Sequence, residues 1–264
     1  MGKGQASIFI IVGVVIVLLA GVAIFYARQS PQQQILDPTR PDAIRAVVDS
    51  CHRDLLTQGI QWIGLHGGRI LPVAPKLFAD RNILSDLDLP WSTVTAGREN
   101  LFIHYLYAQG TPSYEPGNEQ MEADLGAYIV SNLPACVNEF RDFKNAGLQV
   151  EWDAPSASVT ISDTTVKSDL TYGIRVLLPD SVLEFNDFTV QLDSQLGRIW
   201  NVMVPALLSR IDEKPDFMPS GKLTDLGEEY AVNAGGFPYQ TSYVYYIIDK
   251  GEVDLDFLFA QERP

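Results

Sequence analysis

Apolar and polar positions fall into distinct regimes along the chain. From Ala6 to Ala27 no side chain carries a charge, and Lys3 and Arg28 bracket the run. At ~1.5 Å per residue, a helix of this length is roughly 33 Å long, enough to cross a bilayer core. The run exceeds the about 7–15 residues of a secretory signal's apolar region, and no A-x-A-like site follows Ala27. A buried core helix rarely runs this far with nothing more polar than Ser7. Residues 6–27 are therefore expected to be a transmembrane helix with the bilayer as partner, and 1–28 to form one unit. Pro31, Pro38 and Pro41 with Gln32–Gln34 make residues 29–40 an exposed spacer.

Beyond the spacer the period changes to that of amphipathic helices and half-buried strands. Ile44, Val47, Val48, Cys51, Leu55, Trp62 and Leu65 predict a helix over 41–65, started by Pro41 and stopped by Gly64, Gly67 and Gly68. Residues 69–73 and 101–108 read as strands, and 74–100 as irregular. Met121, Leu125, Tyr128, Ile129, Leu133, Cys136, Phe140 and Phe143 predict a second helix over 118–145, kinked or restarted at Pro134. Strands are expected at 148–152, 158–162, 170–178 and 182–190, separated by Pro, Asp and Ser turns. Leu192, Leu196, Ile199, Trp200, Met203, Leu207 and Ile211 predict a helix bent at Pro205, and a weaker helix covers 223–232. The end reads as a hairpin, 243–248 and 253–260, around Lys250-Gly251. There Val253, Leu255, Phe257 and Phe259 alternate with Asp254 and Asp256.

Helices and strands without a βαβ rhythm make residues 41–264 an α+β domain of mixed helix and antiparallel sheet, with a sub-boundary near 146. About 220 residues can bury a real core. The net charge of −14 repels nucleic acid and anionic membrane surfaces, so no nucleic-acid partner is expected. Only two cysteines occur, Cys51 and Cys136, without C-x-x-C spacing, which argues against a zinc or redox motif. Each lies on the apolar face of a predicted helix. If those faces pack together in an oxidising compartment they form a structural disulfide; otherwise they are two unconnected buried thiols.

The junction Lys3-Gly4-Gln5-Ala6-Ser7 resembles the class III signal of archaeal type IV pilin-like precursors. The resemblance implies cleavage between Gly4 and Gln5 by a prepilin-type peptidase, with the apolar helix kept as an anchor or filament stem. Pilins often carry a glutamate at the fifth mature position, where this chain has Phe9; the departure bears on filament assembly more than on anchoring. The G-Q junction, the helix around Val48 and Cys51 ending at Gly67-Gly68, the second cysteine helix and the terminal Phe257-Leu258-Phe259-Ala260 strand together resemble archaeal membrane-anchored surface proteins. That likeness implies an address and an architecture, with the C-terminal domain outside the cell, and no activity.

No G-x-S-x-G, H-E-x-x-H or P-loop is present, and neither a catalytic residue, a metal site nor a cofactor is assigned. His52, His66 and His104 lack metal-ligand spacing and read as surface or packed residues. Cys51-His52 are adjacent on a helix and point about 100° apart, unlike a thiol–base pair. His52-Arg53-Asp54 matches three letters of a kinase loop without its companions. Asp86-x-Asp88 and Asp254-x-Asp256 lack the glycine and glutamate of a calcium loop and read as solvated faces. Tyr239, Tyr243, Tyr245 and Tyr246 fit sheet packing at least as well as a binding surface.

The leading expectation is a non-enzymatic, membrane-anchored cell-surface protein, a minor pilin-like or interaction subunit that associates with itself or other surface proteins. The alternatives are an exported membrane-anchored enzyme such as a hydrolase, and a cytoplasmic domain on an inverted anchor. The last is favoured by Arg28, Arg40 and Arg45, which outnumber the positive charges before the span.

Overall fold

The computed structural model describes residues 40, 42–70, 91–96, 99–108, 110–112, 117–215, 218–239 and 242–262, with the backbone alone at 91–96, 99–102 and 239. The expected membrane span, the Gly4–Gln5 junction, the spacer before Arg40 and most of the strand expected at 69–73 lie outside them. Among the described residues, no helix is long and apolar enough to cross a membrane.

Helix α1 (Asp42–Leu65) realises the first amphipathic pattern, with Asp42 in its first turn, where a negative charge suits the helix dipole. Its C-terminus is closed by Gly67 and Gly68 at φ +67° and +101°. There the Gly68 N–H donates to the Ile63 carbonyl at 2.8 Å, and a side chain would oppose the left-handed turn. The buried face runs through Ile44, Val48, Cys51, Leu55, Leu56, Ile60 and Ile63. Trp62 and Leu65, expected on that face, are half-buried at its edge.

Helix α2 (Asn118–Cys136) buries Met121, Leu125, Ile129 and Leu133 and carries Pro134 inside its last turn. The break expected at Pro134 falls further on. Asn138, Glu139 and Phe140 take φ values of 50°, 50° and 56°, after which α3 (Arg141–Asn145) begins. This left-handed step turns Phe140 into the core against Trp152 and Tyr172, at ring-centroid distances of 5.3 and 6.1 Å.

The following strands form a four-stranded antiparallel sheet: β4 (Gln149–Trp152), β5 (Ser156–Ile161), β6 (Thr165–Leu178) and β7 (Ser181–Asp193). The long strand β6 is its centre, paired with β4 and β5 on one side and β7 on the other. Alternation along β6 buries Val166, Ser168, Leu170, Tyr172, Ile174 and Val176. The third helical stretch opens as α4 (Leu196–Arg198), widens into a π-helical turn (Ile199–Met203) and continues as α5 (Val204–Glu213). Pro205 is the physical reason for the wide turn: it has no N–H for the Asn201 carbonyl, and its ring would collide with that oxygen. Helix α6 (Ser220–Tyr230) follows.

The second sheet has the order β1-β2-β10-β9-β8, with β3 (Thr111–Pro112) beside β2. Strands β9 (Ser242–Lys250) and β10 (Asp254–Glu262) are the expected terminal hairpin, with Val253, Leu255, Phe257 and Phe259 buried. Three strands were not legible in the pattern, the shortest being β3, which lies in a Pro/Gly stretch that reads as a loop. Strand β1 (Trp91–Ala96) pairs with β2 (Glu99–Ala108) inside the stretch read as irregular. Strand β8 (Asn233–Tyr239) contains Gly235-Gly236 and Pro238, which read as turn residues. It is tolerated because it is an edge strand.

The domain is thus α+β, with one correction. Its larger sheet is mixed, because β10 runs parallel to β2. These strands are far apart in sequence, so the intervening elements supply the long crossover a parallel pair requires. Helix α1 joins the two sheets. It packs on β7 along its first half and reaches β6 through His52, and at Gly64 an added Cβ would lie 2.7 Å from the Asp256 carbonyl of β10. One continuous core runs from Ile44 through Tyr172 and Trp200 to Phe259.

Candidate functional site

The two cysteines meet. Cys51 in the middle of α1 and Cys136 at the end of α2 form a disulfide, their Cα atoms 5.9 Å apart across 85 residues of sequence. Among the described residues there is no free cysteine. Cys51 lies on the buried face of α1, but Cys136, expected to face inward, is exposed at the last position of α2, so the bond sits at the edge of the helix pair where the chain leaves α2 for its left-handed step. The signal cleavage residues, Gly4 and Gln5, lie outside the described residues.

One polar pair was not anticipated. His52, the residue after Cys51, places its Nε2 2.7 Å from the Ser168 Oγ of β6. Both side chains have zero exposure. The pairing has a legible trace, since Ser168 is the one small polar side chain among the large side chains on the buried face of β6. A histidine–serine pair suggests a nucleophile and its base, but the geometry builds no triad. The neighbouring carboxylate, Asp169, lies on the opposite, exposed face of β6, bonded to Lys167 and Thr189 at 2.7 Å each. Burial pushes the His52 pKa down to about 4, against the opposing pull of Asp169. A neutral, enclosed imidazole beside an enclosed hydroxyl ties α1 to β6.

The other histidines are also packed. His66 stacks on Trp62 with ring centroids 5.3 Å apart, and His104 lies beside Gly67. Burial lowers each to about 4, partly opposed by hydrogen bonds that the rings donate to the backbone at Trp62 and Gly67 respectively; Arg69 lowers His104 further. The remaining candidates do not converge. Asp254 and Asp256 share Lys250 at 3.7 and 3.6 Å, while Asp86 and Asp88 lie outside the described residues. Tyr245 is buried, stacked on Phe259 at 4.9 Å and hydrogen-bonded to Gln261. Tyr246 covers Gly235. These tyrosines pack the sheet. Among the described residues, no three His, Cys, Asp or Glu side chains are grouped to hold a metal ion.

Compared with protein-family models, curated proteins and solved structures, the chain matches none.

Proposed function

We propose that the chain is a non-enzymatic protein held in the cell membrane by residues 6–27, with residues 41–264 displayed outside the cell. It serves there as a minor pilin-like or interaction subunit. The observation that carries the reading is the Cys51–Cys136 disulfide, which ties the buried middle of α1 to the exposed end of α2. Structural disulfides persist in oxidising compartments and are rare where cellular thiols stay reduced. The class III-like junction at Gly4-Gln5 and the uncharged run behind it point to the same address. The non-enzymatic part rests on how the chemistry-bearing side chains are used: His52, Ser168, His66 and His104 are all enclosed in packing.

The excess of arginines after the span favours the second reading, a domain facing the cytoplasm. Protease added to intact cells separates the two. Loss of the domain with retention of a membrane-bound fragment is the expected result. A domain protected until the membrane is breached overturns the external placement.

A further inference from the structure

We propose that the tip of the β6–β7 hairpin is a second membrane contact, inserting its apolar side chains into the surface of the bilayer that holds residues 6–27. The inference rests on the anchored reading above and deepens it.

The hairpin and α1 point the same way. Arg45 near the start of α1 donates to the Asp187 carbonyl at 3.2 Å and lies over the Phe188 ring. His52, two turns on, reaches Ser168, whose strand partner is Val190. Arg53 then pairs with Glu252, which also accepts from the Asp193 N–H. Advancing along α1 therefore means advancing along β7, and the starts of both elements lie at one end of the domain. That is also the end where the chain arrives from residues 6–27.

The hairpin extends past the helix. From Asp187 back to Ser181 the strand covers about 20 Å, whereas from Arg45 back to Asp42 the helix covers about 4.5 Å, so the tip overshoots by about 15 Å. The segment from Arg28 to Arg40 can reach at most about 40 Å. The tip thus lies within the distance at which the chain can hold the domain from the bilayer. Tethering gives even a weak contact a high effective concentration.

Behind the exposed turn Pro179-Asp180, both strand ends are apolar where a strand end is ordinarily polar. Val182 and Leu183 are 50% and 39% exposed, two of the few large apolar side chains so placed among the described residues. Half-buried Leu177 and Leu178 flank them. The nearby charges are of both signs: Asp180 in the turn, which stays at headgroup level while the apolar side chains insert, Glu184 opposite Arg175 in the ladder, and Lys144 over Trp152. An apolar tip with a mixed rim suits a zwitterionic headgroup layer, and the net charge of −14 disfavours an anionic one.

The test places photoreactive benzoylphenylalanine at Val182 in the full chain, reconstituted in phosphatidylcholine vesicles, with the same residue at Phe237 as a control. Phe237 pairs with Val244, which pairs with Ala260, beyond the Leu258 that touches Gly67; it lies at the far end of the domain. Irradiation is expected to give a lipid adduct at 182 and none at 237. An adduct to a second copy of the chain, equal lipid adducts at both positions, or no lipid adduct on chains that still float with the vesicles overturns the hairpin contact alone. Chains that do not float with the vesicles overturn both it and the anchored reading.

Discussion

His52 Nε2 and Ser168 Oγ, 2.7 Å apart and both fully enclosed, tie the middle of α1 to the central strand of the smaller sheet. Removing one partner strands the other in an apolar setting, which costs about 1–3 kcal/mol, whereas replacing both by apolar groups of similar shape is nearly neutral. Ser168→Ala is therefore expected to destabilise the domain, and His52→Leu combined with Ser168→Ala to recover most of the loss. Urea unfolding of the full double-mutant cycle checks this. Simple additivity would mean the two side chains do not depend on each other.

The three enclosed histidines set the acid response. Each has its folded-state pKa pushed from the ordinary 6.5 to about 4, with burial the largest cause. The unfolded chain therefore binds protons first, and folded stability falls as pH drops from about 6.5 towards 4, being fully present above 6.5. The Asp169 pKa is also lowered, chiefly by hydrogen bonds from Lys167 and Thr189, and its contribution is lost at still lower pH. The urea midpoint is expected to fall steeply between pH 6.5 and 4.5, and less steeply in His66→Gln or His104→Gln. A flat profile across that window contradicts enclosed neutral imidazoles.

Cys51 and Cys136 close a loop with a sequence separation of 85 residues, for which loop entropy gives about 4–5 kcal/mol. Cys51→Ser with Cys136→Ser, or reduction of the native chain, is expected to lower thermal stability by an amount of that order. Differential scanning calorimetry of the oxidised and reduced protein measures it. Equal melting temperatures would show that the bond does not constrain the chain.

Gly197 in α4 packs against the turn after β5, where an added Cβ would lie 2.3 Å from the Ser162 carbonyl oxygen. Backbone cannot swing aside as a side chain can, so Gly197→Ala is expected to cost at least the about 1–3 kcal/mol of an overpacked core. Gly117→Ala, where nothing lies within 4 Å, is the comparison and is expected to be nearly silent in the same unfolding assay.

Glu139 sits at φ 50° between two other left-handed residues, a conformation costing an L side chain of order 1 kcal/mol or more. Its exposed pair with Arg141 at 3.0 Å returns little. Glu139→Gly is expected to raise stability by about 1 kcal/mol, read from the urea midpoint. A loss would place the ion pair above the backbone term.

Much of this fold is legible in the sequence because burial imposes a period. The stripes of α1 and α2, the alternation from Val253 to Phe259, and the inward placement of Cys51 all follow from one face of each element meeting the core, whereas Cys136, expected on the inner face of α2, is exposed at its end. The misses fall where local chemistry and tertiary context disagree. Gly235, Gly236 and Pro238 are turn residues used in an edge strand. Pro134 sits where a helix end tolerates it, and the break is moved to Asn138–Phe140 by the need to bury Phe140. The parallel pairing of β10 with β2 depends on the whole intervening chain, and no local pattern encodes it. The His52–Ser168 pair was half visible, as a hydroxyl among apolar positions on β6. Its partner, across 116 residues, was not.

The central claim is an external domain on a processed anchor. It is tested most directly by intact mass and amino-terminal sequencing of the protein purified from its native membrane, with and without reductant. The account predicts a chain that starts at Gln5 and carries the Cys51–Cys136 bridge. A chain that starts at Met1 or Gly2 with two free thiols would contradict it and favour a domain facing the cytoplasm.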